Sequence, residues 1–184
     1  IYPLGYFTLG IDHLMSGNDH ILFILGLLFL VSGLFNAIKT ITAFTLAHSI
    51  TLGLSVFDLV SLPQATVEAI IALTIIYLAL EVSENKKYAS TPWLIAFGFG
   101  LLHGLGFANA LTGIGIGNEQ LLLSLLFFNL GIEVGQLLLV PIFGFFIWMA
   151  HKFDLYKQSA TLTSLILGGM GFFWFIDRTI GILG

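Results

Sequence analysis

Glu119-Gln-Leu-Leu-Leu-Ser-Leu-Leu-Phe-Phe-Asn129-Leu-Gly-Ile-Glu133-Val-Gly-Gln136-Leu-Leu-Leu-Val-Pro141-Ile-Phe-Gly-Phe-Phe-Ile-Trp-Met-Ala150 decides the fold class, because Gln120–Ala150 holds one charged side chain, Glu133. A helix needs about 20 mostly apolar residues to cross a bilayer, and this run exceeds that. The length leaves room for a tilt or a kink, and Pro141 is the expected kink point. The rest of the chain has the same character. Of its 184 residues 58 % are hydrophobic, 9 % are charged and 21 are glycine. A soluble domain carries about 25 % charged residues and cannot hide that much apolar surface. The expected fold class is all-α, a polytopic transmembrane helix bundle forming a single integral membrane domain over 1–184.

Working outward, five more spans are expected: Asp19–Asn36, Lys39–Phe57, Pro63–Val82, Pro92–Leu111 and Ser159–Ile180. Pro63 suits a first helical turn. Ile1–Ser16 is apolar but short, and Gly17-Asn18 is a turn signal. It is read as an interfacial or re-entrant half-helix, with a seventh span as the alternative. Lys39, Lys86, Lys87, Lys152 and Lys157 fall in alternate loops, and Arg178 is the exception. The positive-inside rule then places both termini on the outer face of a bacterial-type plasma membrane. The chain starts at Ile1 rather than Met; a cleaved signal peptide would account for this and agrees with an outer N-terminus. Gly98, Gly100, Gly104 and Gly106, with the Gly131/Gly135 pair and Gly168, Gly169 and Gly171, are expected packing seams.

Composition excludes several functions. Six Lys and Arg with a net charge of −4 leave no footprint for nucleic acid. Without cysteine there is no disulfide, thiolate metal site or cysteine nucleophile. No phosphate-binding loop is present, so this chain does not use ATP. The partners expected are the lipid bilayer and a metal ion; the oligomeric state is not legible.

A polar group inside lipid is expensive and is a functional hypothesis by default. The polar residues of the apolar segments are Asp12, His13, Asp19, His20, His48, Glu68, His103, Asn129, Glu133 and Gln136. His13 and His20 flank a turn that can fold their rings toward each other, and Asp19 can cap a helix or join them. Thr45, His48 and Ser49 share a helix face, as do Asn129, Glu133 and Gln136. At about 1.5 Å per residue, His48, His103 and Glu133 fall near mid-membrane, and Asp19 and His20 near the outer surface. These groups form an expected column open to one face. Its expected ligands are His13, Asp19, His20, His48, His103 and Glu133. Asp12, Glu68, Asn129, Gln136, Ser49 and Thr45 are expected to support them. Imidazole with carboxylate suits Ni²⁺, Co²⁺, Zn²⁺ or Fe²⁺ rather than Cu⁺. Two alternatives stay open: an intramembrane metal-dependent hydrolase, and a b-type haem protein with His48 and His103 as axial ligands. His151, beside Lys152, is expected to be interfacial.

At these residues the chain resembles the HupE/UreJ family of nickel and cobalt permeases, in its second branch. The hallmark His-x5-Asp-His stands here as His13, Asp19 and His20 within GIDHLMSGNDHILFILGLL. ITAFTLAHSITL, VEAIIALTIIYLALE, LLHGLGFA and FNLGIEVGQL carry the resemblance on to about Val140. The better-known branch has a second motif, FHGxxHGxE, of which Leu102-His103-Gly104 stands here. The resemblance implies energy-independent or secondary uptake of Ni²⁺ or Co²⁺ for metalloenzyme assembly. It also implies that His13, Asp19 and His20 interact with the metal.

Overall fold

A computed structural model of the chain describes residues 3–84, 91–106 and 118–183. The described residues form helices and no strands: α1 (Leu4–Ser16), α2 (Asn18–Leu30), α3 (Leu34–Val56), α4 (Gln64–Ser83), α5 (Pro92–Leu105), α6 (Asn118–Lys152) and α7 (Tyr156–Leu183). Helix is what such sequences must form in lipid, since it satisfies the backbone polar groups within each segment.

α3, α4, α6 and α7 are long and apolar enough to cross a membrane. α1 and α2 pass the same test as a pair bent by 74° at Gly17, a broken span or a re-entrant loop. α5 is apolar but shorter, and the expected continuation to Leu111 lies outside the described residues, as do Lys86 and Lys87. The all-helical membrane architecture expected from the sequence is therefore present, with different boundaries near the start. The first expected span, Asp19–Asn36, ends at Leu30. Gly33, at φ +84°, breaks the chain before α3, because that backbone conformation suits only glycine. Lys39 consequently sits in α3 rather than in a loop. α6 runs unbroken through Pro141.

The helices pack in pairs. α3 lies on α5, α4 on α7, and α1 on α6, while α2 touches α4, α6 and α7. Glycine permits the closest crossings: Gly10 lies on the Phe128 backbone, and Gly131 on that of Phe7. The core has two main parts. Phe23, Leu27, Phe44, Ile75, Leu78 and Leu167 fill one, and Leu14, Ile24, Leu52, Phe128 and Ile132 fill the other. Leu122, Leu138, Phe145, Leu165 and Phe172 point outward. Burial of an outward face this apolar is the work of lipid. Between the two core parts the interior turns polar, and that is where the histidines are.

Candidate metal centre

The centre begins at the Gly17 bend. α1 presents His13 in its last turn and α2 presents His20 in its first, so the bend brings the rings edge to face at 4.9 Å between centroids. A Cβ at Gly17 would lie 2.7 Å from His20 Nδ1 and 3.1 Å from Asp19 Oδ1. Any larger residue would therefore displace both groups. Asp19 Oδ1 accepts the His20 backbone N–H at 2.9 Å, one of the amides a first turn leaves free. The same oxygen lies 3.1 Å from His20 Nδ1. Asp19 is thus not the N-cap, a place taken by Gly17 without a side-chain capping bond; from the first turn its carboxylate accepts an amide and lies against an imidazole.

α3 and α5 bring the other two rings. Their close crossing rests on Gly100 against the Phe44 carbonyl and Gly104 against the His48 carbonyl. His103 then reaches to 5.2 Å from His20, and His48 lies 6.4 Å from both His13 and His20, between ring centroids. Phe23, Phe44 and Phe128, all wholly buried, pack around the four imidazoles.

Hydrogen bonds fix the orientation of three of these rings, His20, His48 and His103. Asn129 Nδ2 donates to the Leu125 carbonyl at 2.8 Å, so its Oδ1 faces His48 as an acceptor. His48 Nδ1–H donates to that oxygen at 3.1 Å, which leaves the lone pair on Nε2. Thr74 Oγ1 donates to the Ile71 carbonyl at 2.7 Å and can only accept from His103 Nε2, in a longer 3.5 Å contact. That leaves the His103 lone pair on Nδ1. The Asp19 carboxylate selects the Nδ1–H form of His20 in the same way. His20 Nε2, His48 Nε2 and His103 Nδ1 are each buried with no hydrogen-bond partner. A buried polar atom without a partner costs free energy, and an electron-pair acceptor would relieve that cost at each of the three.

Two groups of donors come within reach of one ion. His13, His20 and His48 form one, and Asp19, His20 and His103 the other, with donor atoms within 4.8 Å of one another in each. Two nitrogens on one ion at about 2.1 Å each sit roughly 3.4 Å apart in a tetrahedron. Closing either group on one ion would draw together donor atoms that stand up to 4.8 Å apart. A cavity of about 400 Å³ leads to them. His13, Asp19, His20 and His103 line it, together with Ser16, Asn18, Gln64, Glu68, Trp174 and Arg178. Neutral imidazoles plus one carboxylate, sheathed in phenyl rings, favour a borderline divalent ion.

The sequence model of the HupE/UreJ protein family matches residues 2–178. The chain belongs to the HupE/UreJ family. This is a membrane family of nickel/cobalt transporter type. No curated protein and no solved structure gives a significant match.

In this HupE/UreJ protein the remaining sequence-selected residues divide. Glu133 lies outside both donor groups and accepts a hydrogen bond from Thr42 at 2.6 Å. Gln136 accepts from Thr45 at 2.8 Å, and Ser49 donates to the Thr45 carbonyl at 2.7 Å. Thr42, Thr45 and His48 thereby tie α3 to α6 through Glu133, Gln136 and Asn129. Glu68 stands in the cavity wall, paired with Arg178 at 2.6 Å and with Gln64 at 2.8 Å. Asp12 is exposed on α1, apart from both groups. His151 is exposed and donates to the Ile147 carbonyl at 2.9 Å. Three contributors were not among the residues chosen from the sequence. Thr42 and Arg178 gave no signal of their role. Thr74 gave a weak one, a lone hydroxyl in the apolar run Ala69–Ile76.

Proposed function

We propose that this HupE/UreJ protein is a permease whose substrate is a divalent transition metal ion, Ni²⁺ or Co²⁺, with Zn²⁺ as a competitor. The carrying observation is a pair of overlapping donor groups, His13/His20/His48 and Asp19/His20/His103, in which His20, His48 and His103 each keep a buried ring nitrogen without a hydrogen-bond partner. Each of these rings has its other nitrogen held by a carboxylate, an amide or a hydroxyl. Outer partners of this kind orient metal-binding histidines and raise their basicity.

The cavity supplies an entrance. Its wall includes Gln64 at the start of α4 and Arg178 near the end of α7. Lys39 near the start of α3, Lys152 at the end of α6 and Lys157 at the start of α7 belong to the opposite helix ends. By the positive-inside rule those lysines are cytoplasmic, so the cavity opens outward and both termini lie outside, in a bacterial-type plasma membrane. The ion sheds water at Asp19 and the imidazoles, and the helix bundle rearranges to release it inward.

The test is uptake of Ni²⁺ or Co²⁺ into proteoliposomes that enclose a metal-sensitive dye, with protein-free liposomes as control. Saturable uptake that His20→Ala abolishes and His151→Ala leaves intact is expected. Uptake equal to that of the protein-free liposomes overturns the proposal.

A further inference from the structure

We propose that His20 is the shared pivot of two mutually exclusive cation positions, so that one ion at a time is handed from Asp19/His20/His103 to His13/His20/His48. This inference rests on the permease reading above and adds how the ion moves within the centre.

His20 is the only residue common to the two donor groups found among the described residues. A neutral imidazole has one lone pair, because its other nitrogen carries the proton. His20 therefore completes one group at a time. Simultaneous occupancy would require a doubly deprotonated ring and would crowd two divalent charges around one side chain.

The groups also differ in access. Asp19, His20 and His103 all line the cavity, so an entering ion meets this group first. The second group shares the cavity wall through His13 and His20 but reaches beyond it to His48, which is wholly buried and is not among the residues that line the cavity. Their chemistry differs too. The cavity-side group offers a carboxylate and two imidazoles, and a carboxylate attracts a hydrated divalent cation at a distance. The inner group offers three imidazoles and no charge. An ion that passes inward exchanges Asp19 and His103 for His13 and His48 while His20 stays bound, so it is never without a protein ligand.

The test is a titration of the purified full chain in detergent with Co²⁺, following the visible ligand-field spectrum and counting bound metal by elemental analysis. The wild-type chain is expected to bind a single Co²⁺. His48→Ala confines the ion to the cavity-side group and His103→Ala to the inner group. Each is expected to keep one Co²⁺, with spectra that differ from each other because one set contains a carboxylate oxygen and the other does not. His20→Ala breaks both groups and is expected to bind none. Two Co²⁺ ions per wild-type chain overturn the exclusivity, and this count needs no variant to fold. Undiminished binding by a monodisperse His20→Ala protein overturns the pivot, as do identical spectra for His48→Ala and His103→Ala. A wild-type chain that binds no Co²⁺, Ni²⁺ or Zn²⁺ removes the permease reading itself, and the pivot with it.

Discussion

His48 Nδ1, on α3, donates a hydrogen bond to Asn129 Oδ1, on α6, at 3.1 Å, and this single contact decides which nitrogen of a wholly buried ring faces the other histidines. The amide is itself held by the Leu125 carbonyl. Asn129→Ala removes the acceptor and lets the ring turn or change tautomer. The expected result is metal affinity lowered by about 10–100-fold, the usual scale for losing an outer partner of a metal-binding histidine. Metal titration by calorimetry checks it. Affinity equal to that of the parent would mean that the group containing His48 does not set the measured affinity.

The α3–α5 crossing makes a sharper steric prediction. Gly104 abuts the His48 carbonyl and the Thr51 hydroxyl, whereas a Cβ at Gly98, on the same helix, would meet nothing within 4 Å. Gly104→Ala must push α5 away from α3, and the contact is with backbone, which yields little. Overpacking of this kind costs about 1–3 kcal/mol, and it also separates His103 from His20. Gly104→Ala is expected to lower both thermal stability in detergent and metal affinity, and Gly98→Ala to change neither. Equal melting temperatures for the two variants would contradict the crossing.

The sequence made the class of fold legible because apolar runs of bilayer length have few alternatives. It also made the ligand types legible, since His13, Asp19, His20, His48 and His103 stand out against so little polarity. What it misplaced was local. Ser32-Gly33 inside an apolar stretch looks like the tail of a span, yet Val31 turns extended to end α2 at Leu30, and Gly33, at positive φ, stands just before the start of α3 at Leu34. Depth counting put His20 near the surface and His103 at mid-membrane, although the two rings are 5.2 Å apart. Counting residues assumes straight parallel spans, and the 74° bend at Gly17 breaks that assumption. Glu133 shares a face with Asn129, and a shared face does not reveal what lies opposite. Asn129 meets His48, while Glu133 meets Thr42.

Acidity should act directly on the centre. An imidazole coordinates only through an unprotonated nitrogen, and a carboxylate binds metal in its ionised form. Protons and metal therefore compete for the donors of this centre, and metal binding expels any proton that a donor carries. Affinity is expected to fall, never to rise, as pH is lowered, with net proton release on metal addition at acid pH in weakly buffered solution. Affinity that rises as pH falls, or proton uptake on metal addition, would argue against imidazole ligation.

The cavity wall carries the last prediction. Arg178 Nε and Glu68 Oε2 pair at 2.6 Å, joining α7 to α4 beside the route to His103 and Asp19. Alone, Glu68 would concentrate cations at the entrance and Arg178 would repel them; paired, they largely cancel. Arg178→Gln unmasks the carboxylate, and the initial rate of metal uptake at low ionic strength should rise, on the order of tenfold at most for steering of this kind. Glu68→Gln leaves the guanidinium beside Asp177, 3.0 Å away, which still screens part of its charge. Uptake should fall, by less than Arg178→Gln raises it. Added salt should bring both variants back toward the parent rate, because the Debye length shrinks from about 30 Å at 0.01 M to about 10 Å at 0.1 M. Neither residue belongs to a donor group, so equilibrium metal affinity measured in detergent at high salt should match the parent in both. Stopped-flow uptake into proteoliposomes at two salt concentrations separates the outcomes. Rates that do not move with charge at these two positions would show that the ion enters by some path other than this cavity.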